Sequence, residues 1–218
     1  LHLSLSGNKP MDIFRGWENY VNKLETNWNR LVRPSDTVVI PGDISWEMKL
    51  QNTVTDFEFI NRLPGRKIIL KGNHDLWWES AAKMQRFFDE HGFDIRILHN
   101  NCHVAEGMAL AGSRGWFFDD AAGVDKKVLL REAGRVDASL KEAEKTGLPV
   151  VLFLHYPPVT TEAVCSEMME VIHRHHVTRC YYGHIHKAGS YKAVNGMVQG
   201  VEFRCVSCDM LGFSPLQI

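Results

Sequence analysis

Four short runs rich in β-branched and aromatic residues, at residues 37–40, 67–70, 150–154 and 179–182, each stop abruptly on a polar cluster. They are apolar without alternation, the pattern of strands covered on both faces. Helical periods separate them. Phe14, Trp17, Val21, Leu24, Trp28 and Leu31 recur at three- and four-residue steps, which predicts an amphipathic helix within residues 11–32. Similar patterns predict helices at residues 54–63, 80–91, 126–145 and 161–175. Strands alternating with helices define an α/β protein. Residues 95–104, 108–111, 190–194 and 201–207 read as further strands of a second sheet, with Asn195-Gly196 as a candidate hairpin turn. The chain shows no internal repeat, linker or charge block, so a single domain over residues 1–218 is expected.

The polar clusters carry the chemistry. The first run leads into Pro41-Gly42-Asp43, the second into Gly72-Asn73-His74-Asp75, the third into His155-Tyr156-Pro157-Pro158 and the fourth into Gly183-His184-Ile185-His186. Ligands of open α/β sheets bind beyond the carboxyl ends of the strands, so these clusters are expected to meet. They offer Asp43, Asn73, His74, Asp75, His155, His184 and His186, and His2 opens the chain. Carboxylate, amide and imidazole donors without a thiolate suit Mn²⁺, Fe²⁺ or Zn²⁺. There are more of them than one tetrahedral ion needs. Two ions about 3.5–4 Å apart, bridged by a carboxylate and a water, are equipped for in-line displacement at phosphorus. A neutral Asn ligand leaves more positive charge on such ions, and Gly42, Gly72 and Gly183 allow sharp turns or close approach at the strand ends.

Composition excludes more than it selects. Lys plus Arg number 25 against 26 Asp plus Glu, too balanced for a protein that grips nucleic acid mainly through a basic surface. No apolar run approaches the roughly 20 residues that span a bilayer, and no secretory leader is visible. Five scattered cysteines read as reduced thiols, hence an expected cytoplasmic location.

Gly42-Asp43, Gly72-Asn73-His74-Asp75, His155 and Gly183-His184-Ile185-His186, in that order, resemble the motifs of the calcineurin-like metallophosphoesterase superfamily. The segments Lys9-Pro10-Met11-Asp12 and Ser113-Arg114-Gly115-Trp116 are similar to uncharacterised bacterial phosphohydrolases. Leu1-His2-Leu3 looks like the tail of the family's first motif, whose Asp and preceding strand would lie upstream of residue 1. The resemblance implies a four-layer α/β/β/α sandwich of two mixed sheets. It implies a dinuclear-metal phosphohydrolase that cleaves a phosphomonoester or phosphodiester, with a water or hydroxide shared by two divalent transition-metal ions (Mn²⁺, Fe²⁺/Fe³⁺ or Zn²⁺) as nucleophile. His2, Asp43 and His186 would surround one ion; Asp43, Asn73, His155 and His184 would hold the other, with Asp43 as bridge. His74 would contact the phosphate and protonate the leaving oxygen, with Asp75 orienting its imidazole. Narrower enzyme readings are a nuclease or a cyclic-nucleotide or nucleoside-pyrophosphate hydrolase. A non-catalytic scaffold on this fold is disfavoured, because such scaffolds tend to lose histidines that this chain retains.

Other residues divide between structure and chemistry. Arg114 is expected to fork onto a phosphate, with pairing to Asp119 or Asp120 as the competing reading. Trp46, Trp77 and Trp78 either line a substrate cleft or form the apolar shell of the site; Trp17 and Trp28 belong to the core. His173, His175 and His176 sit where polar or cationic groups suit a helix C-terminus.

Overall fold

The computed structural model describes residues 1–7, 9–116 and 126–218. These fall into two compact units: Leu1–Ile97 with Ser207–Ile218, and Leu98–Val206. The four buried runs divide between them, two to each.

In the first unit, β1 (Thr37–Ile40), β2 (Arg66–Ile69) and β3 (Ile95–Ile97) form a parallel sheet in that order. Parallel neighbours need crossovers, here supplied by α2 (Val54–Arg62) and α3 (Ala81–His91), while α1 (Tyr20–Leu31) precedes β1. Helix α1 starts nine residues later than its periodicity predicts. Gly16 at φ 94° and Asn19 at φ 54° break the helical path, and Met11–Ile13 form only a 3-10 turn. The apolar stripe still works where the helix exists, burying Tyr20, Leu24 and Trp28, while Phe14 and Leu31 lie exposed. Helix α3 carries its own stop signals: the Ser80 hydroxyl accepts the Lys83 N–H at the start, and Gly92 closes the end in a left-handed conformation at φ 67°.

The second unit holds six strands in the order β4-β5-β6-β7-β9-β8. They are β4 (Cys102–Ala105), β5 (Met108–Ser113), β6 (Val150–Leu154), β7 (Arg179–Tyr182), β8 (Gly196–Val198) and β9 (Val201–Cys205). The centre is parallel and both edges are antiparallel, so this sheet is mixed whereas the first is parallel throughout its described strands. Helix α4 (Lys126–Glu144) is pinned to β5 through buried Ser139, whose hydroxyl accepts the Gly112 N–H and donates to the Asn101 carbonyl. Helix α5 (Ser166–Arg174) starts later than expected because residues 159 and 164 pair as an isolated antiparallel bridge.

Three local expectations change. The strand expected over residues 95–104 is two strands in different sheets, separated by a turn in which Asn100 adopts φ 64°. Residues 190–194 are no strand; a 3-10 helix, Lys187–Lys192, occupies most of that stretch. The β8–β9 hairpin turns at Gln199-Gly200, φ 50° and 83°, the positive-φ pair that the twist of a two-residue hairpin requires. Asn195 instead accepts the Cys205 N–H through its side chain. The chain is thus a mixed α/β protein with two sheets and flanking helices. Among the described residues no helix is long and apolar enough to cross a membrane.

Candidate metal centre

At the end of β1 the chain turns within three residues, the Gly42 N–H donating to the Ile40 carbonyl at 2.9 Å, and delivers Asp43 at φ 52°. The first residues of the chain lie along this loop. His2 N–H donates to the Asp43 carbonyl, Leu3 N–H to that of Ile44, and Trp46 N–H returns to that of Leu3. His2 is itself left-handed at φ 56°, its carbonyl accepting the Tyr20 hydroxyl at 2.9 Å. Both side chains are buried, and His2 Nε2 lies 3.5 Å from Asp43 Oδ2. The other carboxylate oxygen, Oδ1, accepts the His74 backbone N–H at 2.9 Å. A left-handed backbone at a non-glycine residue costs on the order of 1–3 kcal/mol and survives only where its surroundings enforce it.

The enforcing group is Asp75. Its fully buried carboxylate accepts the backbone N–H groups of Asp43 at 2.9 Å, Ile44 at 2.7 Å, Ser45 at 3.4 Å and Gly72 at 2.7 Å, and so ties the loop after β1 to the loop after β2. Burial, and then the neighbouring Asp43 charge, push its pKa up; the backbone donors oppose them. Asp75 was expected to orient the His74 imidazole; its carboxylate accepts loop backbone, and among the described residues it makes no hydrogen bond to His74. Gly72 permits the arrangement by close approach. A Cβ there would lie 2.1 Å from Asp43 Oδ1 and 2.2 Å from Asp43 N. A second buried carboxylate, Asp56 of α2, accepts the Leu5 N–H and the Ser45 hydroxyl and braces the same loop from below. Burial raises its pKa as well.

Asn73 and His74 are half-buried on the β2 loop. The His74 ring meets Trp46, centroids 4.4 Å apart, and His2 at 5.5 Å. Trp46 also stacks on His2 at 5.0 Å. Trp77 is core, its indole N–H on the Ser45 carbonyl and its ring against Phe57; Trp78 packs beside it. The tryptophans therefore supply the apolar shell of the first unit's loops.

In the second unit the β6 end is fastened to the β5 end by one carbonyl: Arg114 O accepts the N–H of His155 at 3.1 Å and of Tyr156 at 2.9 Å. His155 is almost fully buried, and its ring lies 5.1 Å from that of His184. A fully extended segment would put His184 and His186 on one side, as expected from their spacing. In the structure Ile185 N–H bonds to the Gly183 carbonyl at 2.8 Å around His184 at φ 69°, the rarer and more strained hand of a three-residue turn. His186, at φ −101° and ψ 169°, is extended. The Arg114 guanidinium lies over Trp116 at 5.5 Å and Tyr156 at 5.3 Å. Buried Glu132 of α4 feels its charge: burial raises the Glu132 pKa, while Arg135 and Arg114 pull it down. Asp119 and Asp120, the competing partners expected for Arg114, lie outside the described residues.

Within each unit, then, candidate ligands come together. His2 and Asp43 offer ligand atoms within 4.8 Å of one another in the first, as do His155 and His184 in the second. Neutral imidazoles with a carboxylate fit a divalent transition metal. Sequence reasoning passed over Asp56 and Glu132 and gave Tyr156 no role. The two acids left a signal, each standing on the buried face of an amphipathic helix.

Strand-end loops that present acid, amide and imidazole donors suit a divalent metal ion. Residues 2–188 match the family model described as calcineurin-like phosphoesterase, and the chain belongs to that family. It is a metal-dependent phosphoesterase, and the family implies divalent metal ions. Among solved structures it is similar to a protein of unknown function, AQ665, from Aquifex aeolicus: 17% identity, TM-score 0.52, covering 99% of this chain and 90% of that one. TT1561 of Thermus thermophilus is similar at 16% identity and TM-score 0.56, covering 81% and 82%. These likenesses concern the fold. A comparison with curated proteins gives no match.

Proposed function

We propose that the chain is a dinuclear-metal phosphohydrolase acting on a phosphomonoester or phosphodiester, and that its two units work as one domain. His2, Asp43 and His186 serve one ion; Asp43, Asn73, His155 and His184 serve the second. Mn²⁺, Fe²⁺/Fe³⁺ and Zn²⁺ all suit these donors. When bound, the ions supply Lewis-acid polarisation of the phosphoryl group and activation of water. The observation that carries the reading is Asp43. Its buried carboxylate sits on a left-handed backbone, with Oδ1 accepting the His74 N–H and Oδ2 facing His2. Backbone strain of this kind clusters at functional sites.

The remaining roles follow from the chain's own groups. His74 is half-buried beside this carboxylate and donates a proton to the departing ester oxygen. Arg114, lying beside the Trp116 and Tyr156 rings, is a fork for phosphoryl oxygens. Asp75 acts through the backbone, holding Asp43 and the His74 loop in register.

The test is Asp43→Asn, read by metal analysis and by hydrolysis of bis(p-nitrophenyl) phosphate and p-nitrophenyl phosphate. The parent carries close to two transition-metal ions per chain and the variant loses both, with activity falling on the order of 10³-fold or more as the Lewis acid goes. The parent's preference between the two esters assigns it as diesterase or monoesterase. A variant that keeps two ions and a near-normal rate removes Asp43 from the centre.

A further inference from the structure

With Asp75 committed to loop backbone, the His74 imidazole must be held by something else. Its backbone is fixed, the N–H on Asp43 Oδ1 and the carbonyl accepting the Leu76 N–H at 2.8 Å. The ring has two aromatic neighbours among the described residues, Trp46 at 4.4 Å with an interplanar angle of 53° and His2 at 5.5 Å. Trp46 is the nearer and the larger.

Trp46 is itself well seated. Its backbone N–H is paired with the Leu3 carbonyl, and the preceding residue, Ser45, is held by Asp75, Asp56 and the Trp77 indole. One side of the indole stacks on His2 at 5.0 Å and 28°, and the Lys9 ammonium lies 5.3 Å from its centroid. The indole Nε1 is buried and donates to no acceptor among the described residues. The contacts the indole makes with His2, His74 and Lys9 all run through its ring.

We propose that Trp46 is the positioning residue of His74: a rigid wall that restricts the imidazole to the rotamer in which it meets the departing oxygen. The proposal rests on the reading of His74 as proton donor. Losing the wall frees rotation about the His74 side-chain bonds and dilutes the productive orientation; it also uncovers one face of the His2 ring, so metal content is measured alongside the rate. Ring size, rather than the indole N–H, is the property that matters.

The experiment uses the full chain in four forms: parent, Trp46→Ala, Trp46→Phe and His74→Ala, with the Trp46→Ala/His74→Ala double variant closing a cycle. In metal-free protein with isotope-labelled histidine, the His74 ring resonance, identified by its loss in His74→Ala, moves in Trp46→Ala as the indole ring current disappears. In the metal-loaded protein, Trp46→Ala lowers kcat for an alkyl phosphate by about 10- to 100-fold, less than the 10²–10⁴-fold of a lost general acid, with KM and metal content unchanged. Trp46→Phe recovers most of that rate. In the His74→Ala background Trp46→Ala causes no further loss, because two changes acting through one group do not add. A His74 resonance that stays put, or losses that multiply in the double variant, overturns the proposal. His74→Ala turning over like the parent removes the proton-donor reading instead, and does so whatever the resonance shows.

Discussion

In the first unit a buried carboxylate gathers the strand-end loops, Asp75 accepting N–H groups from Asp43, Ile44, Ser45 and Gly72. In the second, backbone carbonyls do so, Arg114 O accepting from His155 and Tyr156 and Leu154 O from Gly183, and the side chains around them are rings. A carboxylate hub is charge-assisted and roughly twice as strong per bond, yet it is paid for by desolvation and needs every donor in place. Stacked rings can slide by tenths of an ångström at little cost. The acidic and amide donors therefore sit on an unforgiving frame, the imidazoles of the second unit on a more compliant one.

The harshest way to break this comparison is to fill the space under Asp43. Gly72→Ala puts a Cβ 2.1 Å from Asp43 Oδ1 and 2.2 Å from its backbone nitrogen, so the loops must separate. We expect a loss of about 3 kcal/mol or more in a denaturant titration of the metal-free protein. Gly115→Ala is the matching change in the second unit. Its Cβ would lie 3.1 Å from the Tyr156 carbonyl at φ 72°, and it should cost about 1–2 kcal/mol. Equal losses would erase the distinction.

Asp75→Asn sharpens it. The amide offers one acceptor oxygen and turns its NH₂ toward backbone donors, so about 2–4 kcal/mol should be lost. Hydrogen exchange locates the effect: Asp43, Ile44 and Gly72 amides lose protection, while those of His155 and Tyr156 keep theirs. Faster exchange at His155 to the same degree would show that Asp75 supports the whole fold and not one pair of loops.

The smallest effect tests whether the second unit relies on charge anywhere. His175 closes α5 with Nδ1 2.7 Å from Glu144 Oε1 and Nε2 2.9 Å from Asp137 Oδ1. Hydrogen bonds from Lys141, then His175, hold the Asp137 carboxyl down at about 2. A carboxyl depressed in the folded state stabilises fully above its unfolded value near 4, and the contribution disappears as pH falls from there through about 2. Asp137→Asn should cost about 1 kcal/mol at neutral pH, with the gap to the parent closing between about pH 4 and pH 2. A gap independent of pH would mean that packing, not charge, joins α4 to α5 there.

Much of this frame was legible in the chain. The runs at residues 37–40, 150–154 and 179–182 are strands with those limits, and helices α2, α3 and α4 fall within a residue of their periodicities. Less visible were breaks set by single residues: a left-handed Asn19 that delays α1, and Asn100 between strands of different sheets. The turn at Gln199-Gly200 escaped because glutamine carries no preference for positive φ.

The sequence by itself determined which of these segments form strands, to within a residue where each one stops, and which donor types stand at the stops, because apolar pattern and periodicity are written residue by residue along the chain. Only the tertiary structure decided that two of those strands belong to one sheet and two to another. It also decided that His2, Asp43 and His184 hold left-handed backbones, that the Asp75 carboxylate serves the loop backbone, and that Trp46 lies against His74. The reason is physical. A buried carboxylate goes to whichever N–H groups the fold leaves without partners, and a strained φ is adopted only when bonds from distant residues compensate for it, so neither is a property of the local sequence.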